Sequence, residues 1–288
     1  MWSALLRTGK QASEEEPMNL DDSIITVYCV IDEMMPMVLK EQRLRTRGPV
    51  PALSDSEVIT IERVGSYLGI SQEKELFAYF RRHWGHFFPA LQHIHRTTFV
   101  RQAANLWAVK ERLWCWMRDE VVTYDPCLSI VDSVPVPVCR FARAPWCVRF
   151  RGEASYGKDH ADRQTFSGFR LHAQLSWPGL LTRLYLAPAN ESDGEIAPIL
   201  LEGCTGVVLG DRNYWLPDLQ AYLRTKGILL QAPFRRASSP QAAAYHSPVL
   251  GRVRSLIDTV FGQLTDRCQM KRVWARDLWH LRNRFLRF

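Results

Sequence analysis

From Phe169 to Ser176 apolar and polar residues alternate, with Phe169, Leu171, Ala173 and Leu175 set against Arg170, His172, Gln174 and Ser176. A period of two puts one set on each side of an extended chain, so residues 165–177 are predicted to be a strand buried on one face. Pro178-Gly179 is a turn pair, and 180–186 is the strand that returns from it. Apolar runs at 128–131, 206–209 and 228–230 predict three further short strands, the first ending at Asp132 and the second at Gly210-Asp211. Between them lie two predicted helices. One is capped by Asp193 and runs through Leu200-Leu201; the other opens at Pro217 and closes at Gly227.

A last helix is predicted over 252–267. Its stripe of Val253, Leu256, Ile257, Val260, Phe261 and Leu264 repeats at i, i+3, i+4 and i+7. Residues 237–248, rich in Pro, Ser and Ala, read as the loop before it. Three strands, helix, strand, helix, strand, helix is an α/β order: an antiparallel meander followed by right-handed crossovers. It is the order of the ribonuclease-H-like fold, a mixed five-stranded sheet flanked by helices.

The first part of the chain reads differently. Residues 40–51 are basic and Pro-flanked, a linker or exposed arm. Ser54 and Glu57 form a capping box for a helix carrying Val58, Ile61, Val64 and Leu68, with Gly69 as its stop. A second helix runs from about Ser71 through Leu76, Phe77 and Phe80 to Arg81-Arg82, and a third is expected as one piece over 96–118. The division read from these patterns is 1–52 as N-terminal segment and basic linker, 53–125 as an α-helical domain that is a candidate for DNA binding, and 126–288 as the α/β domain. Short Arg-studded helices suit DNA contact, and they equally suit a packed helical cap.

No run approaches the ~18 apolar residues of a membrane span, and residues 1–17 lack the apolar core of a secretory signal. The seven Cys contain no C-x-x-C pair, which argues for reduced thiols and a cytoplasmic setting rather than disulfides or a zinc ribbon. His83, His86, His93 and His95 have no Cys or carboxylate partner at ligand spacing, so they read as mixed surface and core residues. The net charge of +7 matters for where it sits. From Gly251 to Phe288 there are nine Lys and Arg against three Asp, nine minus three giving +6. A localised basic surface attracts phosphate backbones, and Arg254, Lys271 and Arg272 are the candidates for holding them, ahead of Arg276, Arg282 and Arg284. Trp215, Trp274 and Trp279 are candidates for base stacking, with burial the simpler role for at least two.

Asp132 and Asp211 each end a short buried strand. The carboxyl ends of neighbouring parallel strands are where open α/β sheets bind ligands. Two carboxylates brought together there repel, and a divalent cation is the natural remedy. Asp258 is a third acid, roughly 120° from the centre of the last helix's apolar stripe at ~100° per residue, hence at the border of core and solvent, one turn after Arg254. Each Asp alone is as well explained by a turn or cap.

The chain resembles the DDE transposases of bacterial insertion sequences, most closely the family numbered 982. The resemblance is carried by I-V-D-S-V-P-V-P-V-C-R (130–140), F-S-G-F-R-L-H (166–172), L-A-P-A-N-E-S-D (186–193), L-G-D-R-N-Y (209–214) and R-S-L-I-D-T-V-F-G-Q-L (254–264), with L-S-D-S-E-V-I-T (53–60) and F-V-R-Q-A-A-N-L (99–106) in the helical part. It implies a ribonuclease-H-like core and Asp132, Asp211 and Asp258 as catalytic, metal-holding acids. It also implies two Mg²⁺ or Mn²⁺ ions per site, and cleavage and transfer of double-stranded DNA at transposon terminal inverted repeats and a target. A homodimer assembled on DNA and a bacterial, nucleoid-associated location follow from it. Arg170 and His172, on the strand beside Asp132, become candidates for the scissile phosphate.

Three departures accompany the resemblance. Asp258 stands where relatives carry Glu, a ligand shorter by about 1 Å, and a misplacement of that size can cost ~10²-fold in rate. Asn213 stands where relatives carry Gly before Tyr214, a change eased by Asn's tolerance of positive φ. The chain also stops at Phe288, short of a further helix and tail. Two other readings stay open: a catalytically inactive transposase-derived DNA-binding protein, and another ribonuclease-H-like nuclease.

Overall fold

The computed structural model describes residues 19–40, 42–159, 163–234 and 248–287; the loop read at 237–248 and the leader region 1–17 lie outside them, the loop's last residue excepted. The chain divides into two compact units, one reaching to Val122 and including Trp274–Phe288, the other Thr123–Val273.

The first unit is helical: α1 (Leu20–Leu39), α2 (Asp55–Tyr67), α3 (Glu73–His83), α4 (Arg96–Asn105), α5 (Trp107–Trp116) and α9 (Leu278–Phe285). The segment before the linker is therefore a helix. Ile24, Val27, Ile31, Met34, Met35 and Val38 line one side of α1 and join Val58, Ile61, Leu76, Phe80 and Phe99 in one core. The Ser54–Glu57 box forms as expected, with Ser54 Oγ accepting the Glu57 N–H at 3.1 Å and Glu57 Oε2 accepting the Ser54 N–H at 2.6 Å. The third helix is not one piece. It breaks at Leu106, where the carbonyl of Ala103 is taken by the Leu106 N–H at 3.2 Å and by the buried Lys110 ammonium at 3.0 Å.

Lys110 explains that break. It is fully buried, pairs with Glu62, and donates to Asn283 Oδ1. Burial pulls its ammonium down to about 8 against the opposing pull of Glu62. Asn283 returns a bond from Nδ2 to Glu62 Oε1 at 3.2 Å, so α9 is tied to α2 and α5 through one polar centre. Lys110→Met leaves Glu62 as a buried, uncompensated carboxylate. It is expected to destabilise the protein by ~3–5 kcal/mol in thermal or urea unfolding, whereas Lys110→Met with Glu62→Met costs less. A double variant as weak as the single one contradicts this account.

The second unit holds one mixed sheet: β1 (Asp125–Arg140), β2 (Ser155–Asp159), β3 (Gln164–Trp177), β4 (Leu180–Pro188), β5 (Gly206–Leu209) and β6 (Ile228–Gln231), with α6 (Asp193–Leu200), α7 (Pro217–Thr225) and α8 (Pro248–Asp266) around it. The order is β2-β3-β1-β5-β6, and β4 also pairs with β3. The five expected strands are present, with the short β2 added at the edge of β3. β1, β3 and β4 form the antiparallel meander, and β5 and β6 extend it in parallel on the other side of β1.

β3 differs from its expected half-burial. His172, Gln174 and Ser176 are as buried as Leu171, Ala173 and Leu175. α6 packs across β3 and β4; beneath it Gln174 and Ser176 find hydrogen-bond partners, whereas neither ring nitrogen of His172 does. Gln174 donates to Ser129 Oγ at 3.1 Å, and Ser176 pairs with Thr182 at 3.0 Å.

Candidate active site

β1 was expected to end at Asp132 and instead runs on to Arg140. Its parallel pairing with β5 stops at Ile130↔Leu209, while its pairing with β3 continues. From Val131 onward the edge that faced β5 is open. Pro135 and Pro137 fit such an edge because they have no N–H to leave unpaired. Ser133 points the same way by strand parity, and its N–H is taken by Asp132 Oδ1 at 2.7 Å. Asp132 thus lies in a notch where one strand outruns its neighbour.

Asp211 enters the same notch from β5. Its Oδ1 accepts the Asn213 N–H at 2.9 Å and caps the short 3-10 turn Arg212–Tyr214. Gly210 precedes it because a Cβ there would meet the Tyr214 ring at 2.8 Å. That ring is fully buried, and its hydroxyl has no hydrogen-bond partner. Burial, then the negative charges of Asp193, Asp132 and Asp211, push the phenol well above its ordinary 10.

Asp193 is the acid the sequence reading placed wrongly. Ser192, not Asp193, caps α6, in a capping box with Glu195. Asp193 is released to face inward: Oδ2 accepts from Asn213 Nδ2 at 3.2 Å, and Oδ1 lies 3.4 Å from His172 Nδ1. Burial alone would raise its carboxyl, but the His172 ring and Ser133 hydroxyl outweigh that and hold it below the ordinary value. The S-x-x-E spacing at 192–195 was the available signal, since it assigns the cap to Ser192. Asn213 lies in the 3-10 turn and is not among the positive-φ residues. Its place is explained by the bond to Asp193 rather than by backbone tolerance.

The site is electrostatically strained. Burial raises the Asp132 carboxyl to about 7; the Ser133 N–H opposes this, Asp211 and Asp193 add to it, and Arg254 subtracts. Asp211 is also raised, by burial first and then by Asp193, against the Asn213 N–H and Arg254. Arg254 reaches both acids from α8, which packs against β1 through its buried residues, and its Nε is buried with no hydrogen-bond partner. Asp258, one turn further, is exposed. The structure therefore joins Asp132, Asp211 and Arg254, adds Asp193 and Tyr214, and leaves Asp258 facing solvent.

The other candidates are more scattered. Arg170 is half-buried and donates to Ser133 Oγ and the Lys158 carbonyl, each at 3.2 Å. His172 was a candidate phosphate contact, yet its ring is fully buried beneath α6. Lys271 lies 3.5 Å from Asp159, and Arg272 is exposed. In the first unit, Arg284 is buried, donating to the Ser71 carbonyl at 3.1 Å and lying over Trp274, while Arg282 lies over Trp107. Trp279 donates to Asn105, and Trp215 packs on Phe234.

A mixed sheet flanked by helices, with acids where two adjacent parallel strands part, defines the ribonuclease-H-like class. Residues 124–278, more than half of the chain, match the family described as Transposase DDE domain, and the chain belongs to that family of DDE transposases. No curated protein matches the chain. The family typically uses divalent metal ions. The Asp132–Asp211 pair fits such an ion, because carboxylates raised by burial and by neighbouring acids gain most from a hard cation. Among the described residues no three His, Cys, Asp or Glu side chains are grouped closely enough to hold a metal.

The raised Asp132 gives a sign-defined test. An unfolded chain releases this proton near 3.8 and the folded one near 7, so metal-free stability falls as pH rises between these values and stays lower above them. The displacement from 3.8 to about 7 corresponds to a ceiling of roughly 4 kcal/mol. Asp132→Asn is expected to raise the metal-free melting temperature at pH 8 and to leave it nearly unchanged at pH 4. An equal gain at both pH values refutes the shift.

Proposed function

We propose that this chain cuts and joins double-stranded DNA as a transposase of a bacterial insertion sequence, acting at terminal inverted repeats and a target duplex as a pair of chains. The observation that carries this reading is the meeting of Asp132 and Asp211, both desolvated, beside an Arg254 donor without a partner. The finer assignment, to the insertion-sequence family numbered 982, rests on the motif blocks around these residues.

On this reading Asp132 and Asp211 hold the metal from opposite sides of the notch. Bound Mg²⁺ or Mn²⁺, two ions per site, supplies Lewis acidity at the attacking and leaving oxygens. Asp258 serves as the third acid from α8, its shorter side chain needing a movement of that helix to reach. Arg254 offers its guanidinium charge to a non-bridging phosphate oxygen. Arg170, Lys271 and Arg272 contact the flanking backbone. His172 acts at one remove, holding Asp193, which through Asn213 steadies the turn carrying Asp211.

Asp132→Ala is expected to abolish metal-dependent nicking of a DNA end while leaving DNA affinity near that of the parent. Equal nicking by both proteins removes the carboxylate mechanism. A second reading, a DNA-binding derivative that no longer cleaves, is favoured by the exposure of Asp258. Asp258→Glu separates the two: a gain of about 10- to 100-fold in cleavage marks a weakened enzyme, and an unchanged rate marks the derivative.

A further inference from the structure

β1 does not turn directly into β2. Between Arg140 and Ser155 the chain makes an excursion through a 3-10 turn at Phe141–Trp146 and a bend around Gly152. No Asp or Glu occurs from Ser133 to Gly152, whereas Arg140, Arg143, Arg149 and Arg151 all do. All four arginines are exposed, and none forms an ion pair with an acid among the described residues. Interleaved with them are Trp146, 78% exposed, Val148, 76% exposed, and Phe141, 56% exposed. Large side chains this exposed next to uncompensated charge mark a surface that awaits a partner.

The excursion is anchored, not loose. Phe150 is buried, its ring standing edge-on to Phe169 of β3 at 5.3 Å. Phe141 closes the other side against Tyr156 of β2, ring centres 5.3 Å apart. The guanidinium groups and the Trp146 indole are thus presented from a base fixed to β2 and β3, at the far end of the strand that carries Asp132.

We propose that this excursion is a DNA-contacting surface, in which the arginines bind phosphates and Trp146 packs against a sugar or an unstacked base. Four like charges without acids need a partner of dense negative charge, which a nucleic-acid backbone supplies. An aromatic ring among arginines suits stacking on bases, whereas a protein partner would need an acidic patch to match. Position gives the surface a specific task. Arg140 is eight residues beyond Asp132 on one strand, roughly 26 Å at ~3.3 Å per residue. At 3.4 Å per base pair that is about eight base pairs from the reacting phosphate. The excursion grips the duplex at that distance and sets its angle across the notch.

The inference rests on the DNA reading above, and its test separates the two. Binding of a fluorescent duplex to the full chain is measured by anisotropy over a salt series, for the parent and for a variant with Arg143, Arg149 and Arg151 all changed to Ala. Three lost phosphate contacts reduce the slope of log K against log salt by about 2.7, and low-salt affinity falls at least ten-fold. Nicking at saturating DNA changes little. The same three positions changed to Lys retain the slope, which guards against misfolding of the Ala variant. Trp146→Ala weakens binding several-fold with the slope unchanged, and hydroxyl-radical protection about eight base pairs from the cut is lost in the Ala variant. If the parent binds and nicks DNA while the Ala variant keeps the full slope, this surface is overturned and the DNA reading stands. An unchanged slope together with an altered sedimenting mass reassigns the surface to a protein partner. A parent with no salt-dependent DNA affinity overturns both.

Discussion

The active-site geometry depends on a mismatch in length between two adjacent strands. β1 continues ten residues past Ile130, where its partner β5 stops at Leu209. A sheet normally ends neighbouring strands together, because an open edge leaves N–H groups without acceptors. Here β1 meets that cost with two prolines and with Asp132 turned back onto the Ser133 N–H. The same bond that satisfies the backbone holds the carboxylate in the gap. Asp211 is placed from the other side by its own backbone bond to the turn after β5. Each acid is fixed by finishing a strand's hydrogen bonding, so the pair is rigid before any ligand arrives.

That rigidity is bought with electrostatic strain. Asp132, Asp193 and Asp211 share one poorly solvated region, and Arg254 offsets only part of their repulsion. Tyr214 is fully buried within electrostatic reach of all three acids, and its own hydroxyl is unpartnered. Native folds tolerate such local cost where function uses it. Removing water and concentrating negative charge both favour a bound cation, so the strain here agrees with the proposed metal reading. His172 and the Ser133 hydroxyl hold the Asp193 carboxyl below its ordinary value while Asp132 is raised.

Much of this was legible because periodicity reports burial. The alternation from Phe169 to Ser176, the turn at Pro178-Gly179 and the run ending at Gly210-Asp211 place β3, β4 and β5 correctly, with Asp211 just past the end of β5. What stayed illegible was decided by contacts between distant segments. Nothing local tells that α6 covers the polar side of β3 and buries His172. V-P-V-P-V looks like a chain leaving a sheet unless it is known that β5 has already stopped. Leu106 breaks a regular helical pattern because Lys110 needs the Ala103 carbonyl, and that need arises from Glu62 and Asn283, 48 residues before it and 173 after. Asp193 was misassigned for a local reason instead: two residues in succession could cap α6, and Ser192 forms the reciprocal box.

The arginines make the same point about charge. The sequence concentrates its excess in the last 38 residues, yet part of that excess is structural. Arg284 and Arg287 are buried and donate to the Ser71 carbonyl near the start of α3, where they supply hydrogen bonds to a helical unit rather than a field to solvent. The residues at 140–151 contribute fewer basic groups, but none is internal and no acid interrupts them. Long-range attraction to a polyanion depends on charge that remains solvated and unpaired. By that criterion the short excursion, free of acids, carries as many exposed, unpaired arginines among the described residues as the three-times-longer tail, and net charge summed along a sequence is a poorer guide to a nucleic-acid surface than the partners each guanidinium finds.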